Sequence, residues 1–163
     1  MERSYFFNFE KMAYVQSRRP DGCLLCGVRD HDAGIVDLTV LSDDLVMVAV
    51  NLYPYNPGHL LVFPTRHVED VRELSRAEEN GMADTVRRLL DALDRTHKPQ
   101  GYNIGYNMGL AAGASIRHLH VHVIPRYPSE IGIADLIGGK RVLVEDPRVT
   151  RDRVREALGL TTP

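Results

Sequence analysis

Three of the seven histidines in this chain stand two residues apart, in Arg117-His118-Leu119-His120-Val121-His122-Val123-Ile124-Pro125-Arg126. Side chains on a strand alternate between its faces, so the spacing predicts a strand from Leu119 to Ile124. It would set His118, His120 and His122 along one face and Leu119, Val121 and Val123 along the other. The apolar face must pack on a core. Three imidazoles in a row are an expensive surface unless something occupies it. Three readings compete with each other: a polar solvent-facing strand, a metal centre built from these histidines alone, and a nucleophilic or phosphate-binding site. Imidazole suits the last. With an ordinary pKa of about 6.5 much of it is neutral near pH 7, with a lone pair on one ring nitrogen. A hydrogen bond to the other nitrogen's proton would aim that lone pair at a phosphorus atom, splitting one hard displacement into two easier ones.

A second cluster is Cys23-Leu24-Leu25-Cys26. Such a pair is half of a tetrahedral zinc site, whose usual donors are cysteine and histidine. An empty reduced pair and a redox pair remain open, although no strand–helix context of the thioredoxin type surrounds it. With only these two cysteines, no framework of long-range disulfides exists. Elsewhere, His31 reads as a solvated loop residue, and His97 as a residue complementing a helix dipole.

The elements that must position these groups can be read from period and punctuation. Leu38–Leu41, Leu45–Val50, His59–Phe63 and Tyr102–Tyr106 read as further strands. The turn Asn51-Leu52-Tyr53-Pro54-Tyr55-Asn56-Pro57-Gly58 separates the second from the third. Ser75 and Glu78 have capping-box spacing, and Met82, Val86, Leu89, Leu90 and Leu93 form one apolar helical stripe that Pro99 and Gly101 stop. Cys23–Val36 reads as a loop, Arg141–Val144 as a short strand, and about Arg151 to Leu158 as a helix. Runs of strands around one long helix predict an α+β domain with a mainly antiparallel sheet.

Composition bounds the partners. The chain has 163 residues, 44% hydrophobic and 26% charged, with a net charge of −2. These are the proportions of one globular domain, here residues 1–163, and exclude a disordered chain. Near-neutral charge gives no global reason to bind nucleic acid or an anionic membrane, so any anion must be held locally. No apolar run approaches the roughly 20 residues of a membrane helix, and the N-terminus lacks a signal peptide's apolar core. The expectation is a cytoplasmic protein. The N-terminal aromatics Tyr5, Phe6, Phe7 and Phe9 read as core or interface packing.

Two blocks of this sequence resemble the histidine triad (HIT) superfamily of nucleotide hydrolases and transferases. One is His-x-His-x-His at 118–122, preceded by Asn107-Met108-Gly109-Leu110-Ala111-Ala112-Gly113-Ala114-Ser115; the other runs from Asn51 through Pro57-Gly58-His59 to Pro64. The resemblance covers about residues 22–127, leaving 1–21 and 128–163 as extensions. The Pro125-Arg126 ending is similar to the branch of dinucleoside polyphosphate hydrolases and diadenosine tetraphosphate phosphorylases. The resemblance implies a HIT-like α+β fold with one long helix and a C-terminal helix, its sheet continued across a two-fold homodimer. It implies His120 as nucleophile on the α-phosphate, His122 as donor to the phosphate oxygens, and His59 as orienting residue. Asn107, Gly113 and Ser115 would hold phosphate, and Asn51 the ribose hydroxyls. The other ligands of a structural zinc at Cys23 and Cys26 would be His67 and His118. Water or phosphate would release the nucleotide; Ala114 in place of a glutamine, and Ile137-Gly138-Gly139-Lys140, point towards phosphate, with Lys140 or Arg126 to hold it. A phosphoramidase, a nucleotide-binding sensor with little turnover and a metallohydrolase are the competing readings.

Overall fold

Five short strands, four of them carrying valine or leucine, pair into one sheet: β1 (Thr39–Ser42), β2 (Val46–Val50), β3 (Leu60–Pro64), β4 (Gly101–Tyr106) and β5 (Val121–Arg126). Their order is β1-β2-β3-β5-β4, and every neighbouring pair is antiparallel. The computed structural model describes residues 22–128, 130 and 145–160. The expected strand at Arg141–Val144, the N-terminal aromatics and Ile137–Lys140 lie outside them. The expected α+β architecture with an antiparallel sheet is present. Among the described residues, no helix is long and apolar enough to cross a membrane.

The central strands β2 and β3 are buried at every position, because the sheet is covered on both faces. Val46, Val48, Val50, Leu60, Val62, Val121 and Val123 pack on one face with Met82, Leu89 and Leu93 of the long helix α2 (Arg76–Thr96) and Val154 of α3 (Pro147–Ala157). Met47, Ala49, Leu61 and Phe63 point the other way, against Leu25 and Val28 of a short helix α1 (Leu24–Arg29). Burying a side chain of this size stabilises by about 1.5–3 kcal/mol. The second face therefore needs a cover. That explains why the stretch from Cys23, expected as a loop, begins with a helix: Leu25 and Val28 face the sheet, and Arg29 Nη1 ties it to the carbonyl oxygen of Thr65 at 3.0 Å. Six residues with a glycine among them are too few to show a period.

Helix α2 starts as its sequence requires. The Ser75 hydroxyl accepts from Glu78 N at 3.2 Å and the Glu78 carboxylate accepts from Ser75 N at 2.8 Å. The Arg66 guanidinium, 2.9 Å away, holds the buried Glu78 carboxyl down to about 2. Helix α3 begins at Pro147, four residues before the expected Arg151, because Asp146 caps it by accepting from Arg148 N at 2.8 Å and Pro147 opens it with φ preset.

His97 corrects another expectation. It follows the end of α2, but its side chain is only 2% exposed and meets Glu145 Oε2 at 3.0 Å, with Arg153 Nη1 on the other oxygen of that carboxylate at 2.9 Å. Burial pushes its pKa below the ordinary 6.5, so it is a buried neutral group and not a cation on the dipole. The unfolded chain takes up this proton near pH 6.5, the folded chain only at lower pH. Stability is therefore complete above pH 6.5 and falls as pH drops below it. Melting temperatures from pH 7 to 5 should decline, and His97→Gln should decline less steeply; equal slopes would remove this assignment.

Candidate active site and metal centre

Of the three histidines expected on one strand, only His122 lies on β5, opposite Leu61 of β3 and Gly105 of β4. His118 and His120 precede the strand, in backbone that Leu119 N anchors to the carbonyl oxygen of Val68 at 2.7 Å. The bend lets neighbouring histidines do different things. His118 turns to the cysteines, while His120 lies edge-on to His122 with ring centroids 4.8 Å apart.

His120 is buried, and its Nδ1–H donates to the His118 carbonyl oxygen at 2.6 Å. A carbonyl can only accept, so the proton sits on Nδ1 and the lone pair on Nε2. Burial lowers the pKa of this imidazole, favouring the neutral ring.

A second set of bonds fixes the tautomer of His122. Tyr55 N–H, a backbone donor, gives its proton to His59 Nδ1 at 3.1 Å. His59 must then carry its own proton on Nε2, which lies 3.0 Å from His122 Nδ1. His122 in turn carries its proton on Nε2; the Asn107 side-chain nitrogen lies 3.3 Å from it, so this tautomer requires the Asn107 amide turned to present its oxygen as acceptor. One main-chain N–H therefore sets the polarity of two imidazoles and leaves His122 a donor where His120 has a lone pair. Tyr55 stacks on fully buried His59 at 5.2 Å and 16°. Asn51 accepts from Tyr53 N at 3.1 Å, and its amide nitrogen lies 3.3 Å from His59 Nδ1.

His120 and His122 face a cavity of about 560 Å³, whose lining includes Asn51, Asn107, Gly113 and Ser115. His59 sits behind His122 and does not line it. Much of the remaining lining is an apolar wall, with Leu25, Val28, Ile35 and Leu52 among its residues. The loop leading to Ser115 turns through Gly109 and Gly113 at φ 80° and 86°, left-handed positions that glycine occupies without strain.

Cys23, Cys26, His67 and His118 converge beside this cavity, each offering one ligand atom, all within 4.8 Å of one another. Cys23 Sγ lies 3.3 Å from His118 Nδ1, and Cys26 Sγ lies 3.4 Å from His67 Nδ1 and 3.7 Å from His118 Nδ1. Sulfur and nitrogen bonded to zinc at about 2.3 and 2.0 Å in a tetrahedron stand about 3.5 Å apart, so the set fits such an ion. The tautomer agrees: His118 Nε2–H donates to the Pro64 carbonyl oxygen at 2.9 Å, leaving the Nδ1 lone pair directed at the thiols. All four positions of a tetrahedron are taken by side chains, which leaves none for water.

Arg126, expected to hold phosphate, does not line the cavity. It binds Glu130 through Nε and Nη2, both at 2.7 Å, and Asn103 through Nη1 at 2.6 Å, at the β4–β5 side of the sheet. Sequence reasoning gave no role to Tyr55, Glu69 or Arg117. Arg117 carried a signal in its place directly before the histidines; Tyr55 acts through its backbone, which no side-chain pattern reveals. His31 is exposed beside Asp37, as expected.

The family model described as HIT domain matches residues 34–129. A protein of Mycobacterium tuberculosis named AP-4-A phosphorylase is 38% identical over 119 residues, covering 72% of this chain and 60% of the relative. The asymmetrical bis(5'-nucleosyl)-tetraphosphatase of Schizosaccharomyces pombe is 35% identical over 88 residues, covering 54% of this chain and 48% of the relative. The chain thus spans only about half to three fifths of these relatives' lengths. The crystal structure of a zinc-bound histidine triad family protein from Mycobacterium smegmatis superposes with a TM-score of 0.69 at 25% identity, covering 89% of this chain and 95% of that one.

Proposed function

This chain belongs to the HIT domain family, and from that premise we propose that it is an enzyme cleaving dinucleoside polyphosphates such as diadenosine tetraphosphate through a nucleotidyl-histidine. The observation that carries this reading is the 2.6 Å bond from His120 Nδ1 to the His118 carbonyl oxygen, which leaves Nε2 its lone pair. In the first step Nε2 attacks the α-phosphorus; the P–N bond forms as the bond to the bridging oxygen breaks, and the remaining nucleoside polyphosphate leaves. His122 Nε2–H donates to a phosphate oxygen as charge builds there, and the Asn107 amide and Ser115 hydroxyl supply further donors. His59 is a positioning residue, holding the tautomer of His122. Asn51 binds the ribose, and the apolar wall takes the base. In the second step an acceptor oxygen attacks phosphorus, the P–N bond breaks and His120 is restored.

We take inorganic phosphate as the acceptor, because the relative named a phosphorylase is more similar, and over a longer stretch, than the one named a tetraphosphatase. Cys23, Cys26, His67 and His118 would hold a structural zinc that ties α1 to the histidine segment. The working unit is a two-fold dimer joined at β4, where Ile104 and Tyr106 are exposed.

Incubation with diadenosine tetraphosphate tests the acceptor. Phosphorolysis gives ADP and ATP and requires phosphate. AMP and ATP formed without phosphate would make the enzyme a hydrolase and leave the histidine chemistry standing.

A further inference from the structure

The cavity holds a charged pair that the reaction above does not use. Among the described residues lining it, Arg117 is the one permanent cation and Glu69 the one carboxylate. Arg117 Nε donates to Glu69 Oε2 at 3.1 Å, and Nη2 reaches the same oxygen at 3.1 Å. Both side chains are open to water, at 73% and 44% exposure, so the pair is screened and easily exchanged. The other Glu69 oxygen lies 3.7 Å from His67 Nε2 on the metal cluster. Arg117 directly precedes His118, whose ring is fixed by Pro64 and whose carbonyl fixes His120. The root of this guanidinium is therefore held in register with the nucleophile.

Each phosphate beyond the α-phosphate brings negative charge. His120 is neutral, Asn107 and Ser115 are uncharged, and Arg126 is engaged elsewhere with Glu130 and Asn103. A guanidinium fork matches phosphate oxygens in shape and charge. We propose that Arg117 binds the polyphosphate chain beyond the α-phosphate, exchanging Glu69 for phosphate oxygens when the nucleotide enters. This rests on the nucleotide reading of the cavity, and makes Arg117 the residue that tells a nucleoside polyphosphate from a monophosphate. Glu69 parks the cation between turnovers.

Calorimetric titration of the purified protein with AMP, ADP and ATP tests it. Wild type should bind more tightly with each added phosphate. Arg117→Gln should lose about tenfold in ATP affinity, as for one charge-assisted contact, with a loss that grows from AMP to ATP. Glu69→Gln should bind ATP more tightly than wild type, the competing carboxylate having gone. Equal losses for AMP and ATP in Arg117→Gln would show a structural effect and overturn the proposal. So would unchanged ATP affinity with a raised KM for inorganic phosphate, which would make Arg117 the acceptor's site. A wild type that turns nothing over yet keeps the Arg117-dependent gain would sink the covalent reading alone. Turnover with Arg117-independent affinity would sink this one alone.

Discussion

Replacing His120 with alanine is expected to lower turnover of diadenosine tetraphosphate by about a thousandfold or more, while ATP still binds. The split between chemistry and binding follows from the site's construction. The lone pair on Nε2 exists because Nδ1–H is committed to the His118 carbonyl oxygen, and no neighbouring side chain duplicates that arrangement. His59, whose Nε2 lies against His122 Nδ1, is spent on setting that ring. His122 presents a proton and not a lone pair. The remaining lining, with Asn107, Ser115 and the apolar wall, still receives nucleotide. Turnover of the variant within tenfold of wild type would reject the assignment. Loss of binding together with turnover would point to collapse of the site, which retained metal in the variant excludes. A wild type that binds but does not turn over would instead be the sensor.

If Cys23, Cys26, His67 and His118 hold a structural zinc as proposed, removing it should cost stability. Elemental analysis is expected to find about one zinc per chain, and Cys26→Ala, or strong chelation, to lower the melting temperature by about 10 °C or more. The size of the effect reflects what the four ligands join. Cys23 and Cys26 belong to α1 and its cap, His67 follows β3, and His118 opens the backbone leading to β5. Without the ion, two thiols and two imidazoles remain packed together, and the cover on the second sheet face is held by Leu25, Val28 and the Arg29 contact with Thr65. Activity should fall in step with melting, since His118 also supplies the carbonyl that fixes His120. Metal-free protein with unchanged stability would remove the zinc assignment.

The sheet and the long helix were legible because their signals are local and repeated. Valine runs, the turn at Asn51–Gly58, the capping box at Ser75 and the stripe from Met82 to Leu93 each act within a few residues. What stayed hidden depends on contacts distant in sequence. Helix α1 forms to cover Met47, Ala49, Leu61 and Phe63, and nothing within its six residues announces that. His97 has the position of a dipole partner, yet Glu145, 48 residues on, encloses it. For the triad it was the backbone that differed: alternation assumed a continuous strand, whereas the bend before Val121 sends His118 to the cysteines and leaves His120 bonded to the residue two before it. Arg126 had the charge and shares the face of His122, but it stands at the far end of β5, held by Glu130 and Asn103, and Arg117 had only its place directly before the histidines to mark it.

The covalent step is the centre of the account, and trapping it is the most direct test. Enzyme in excess over diadenosine tetraphosphate, quenched rapidly without acid and without phosphate, should carry AMP on the peptide containing His120, located by tandem mass spectrometry. Cleavage of the substrate with no adduct on any residue, or an adduct on a residue other than His120, would contradict it.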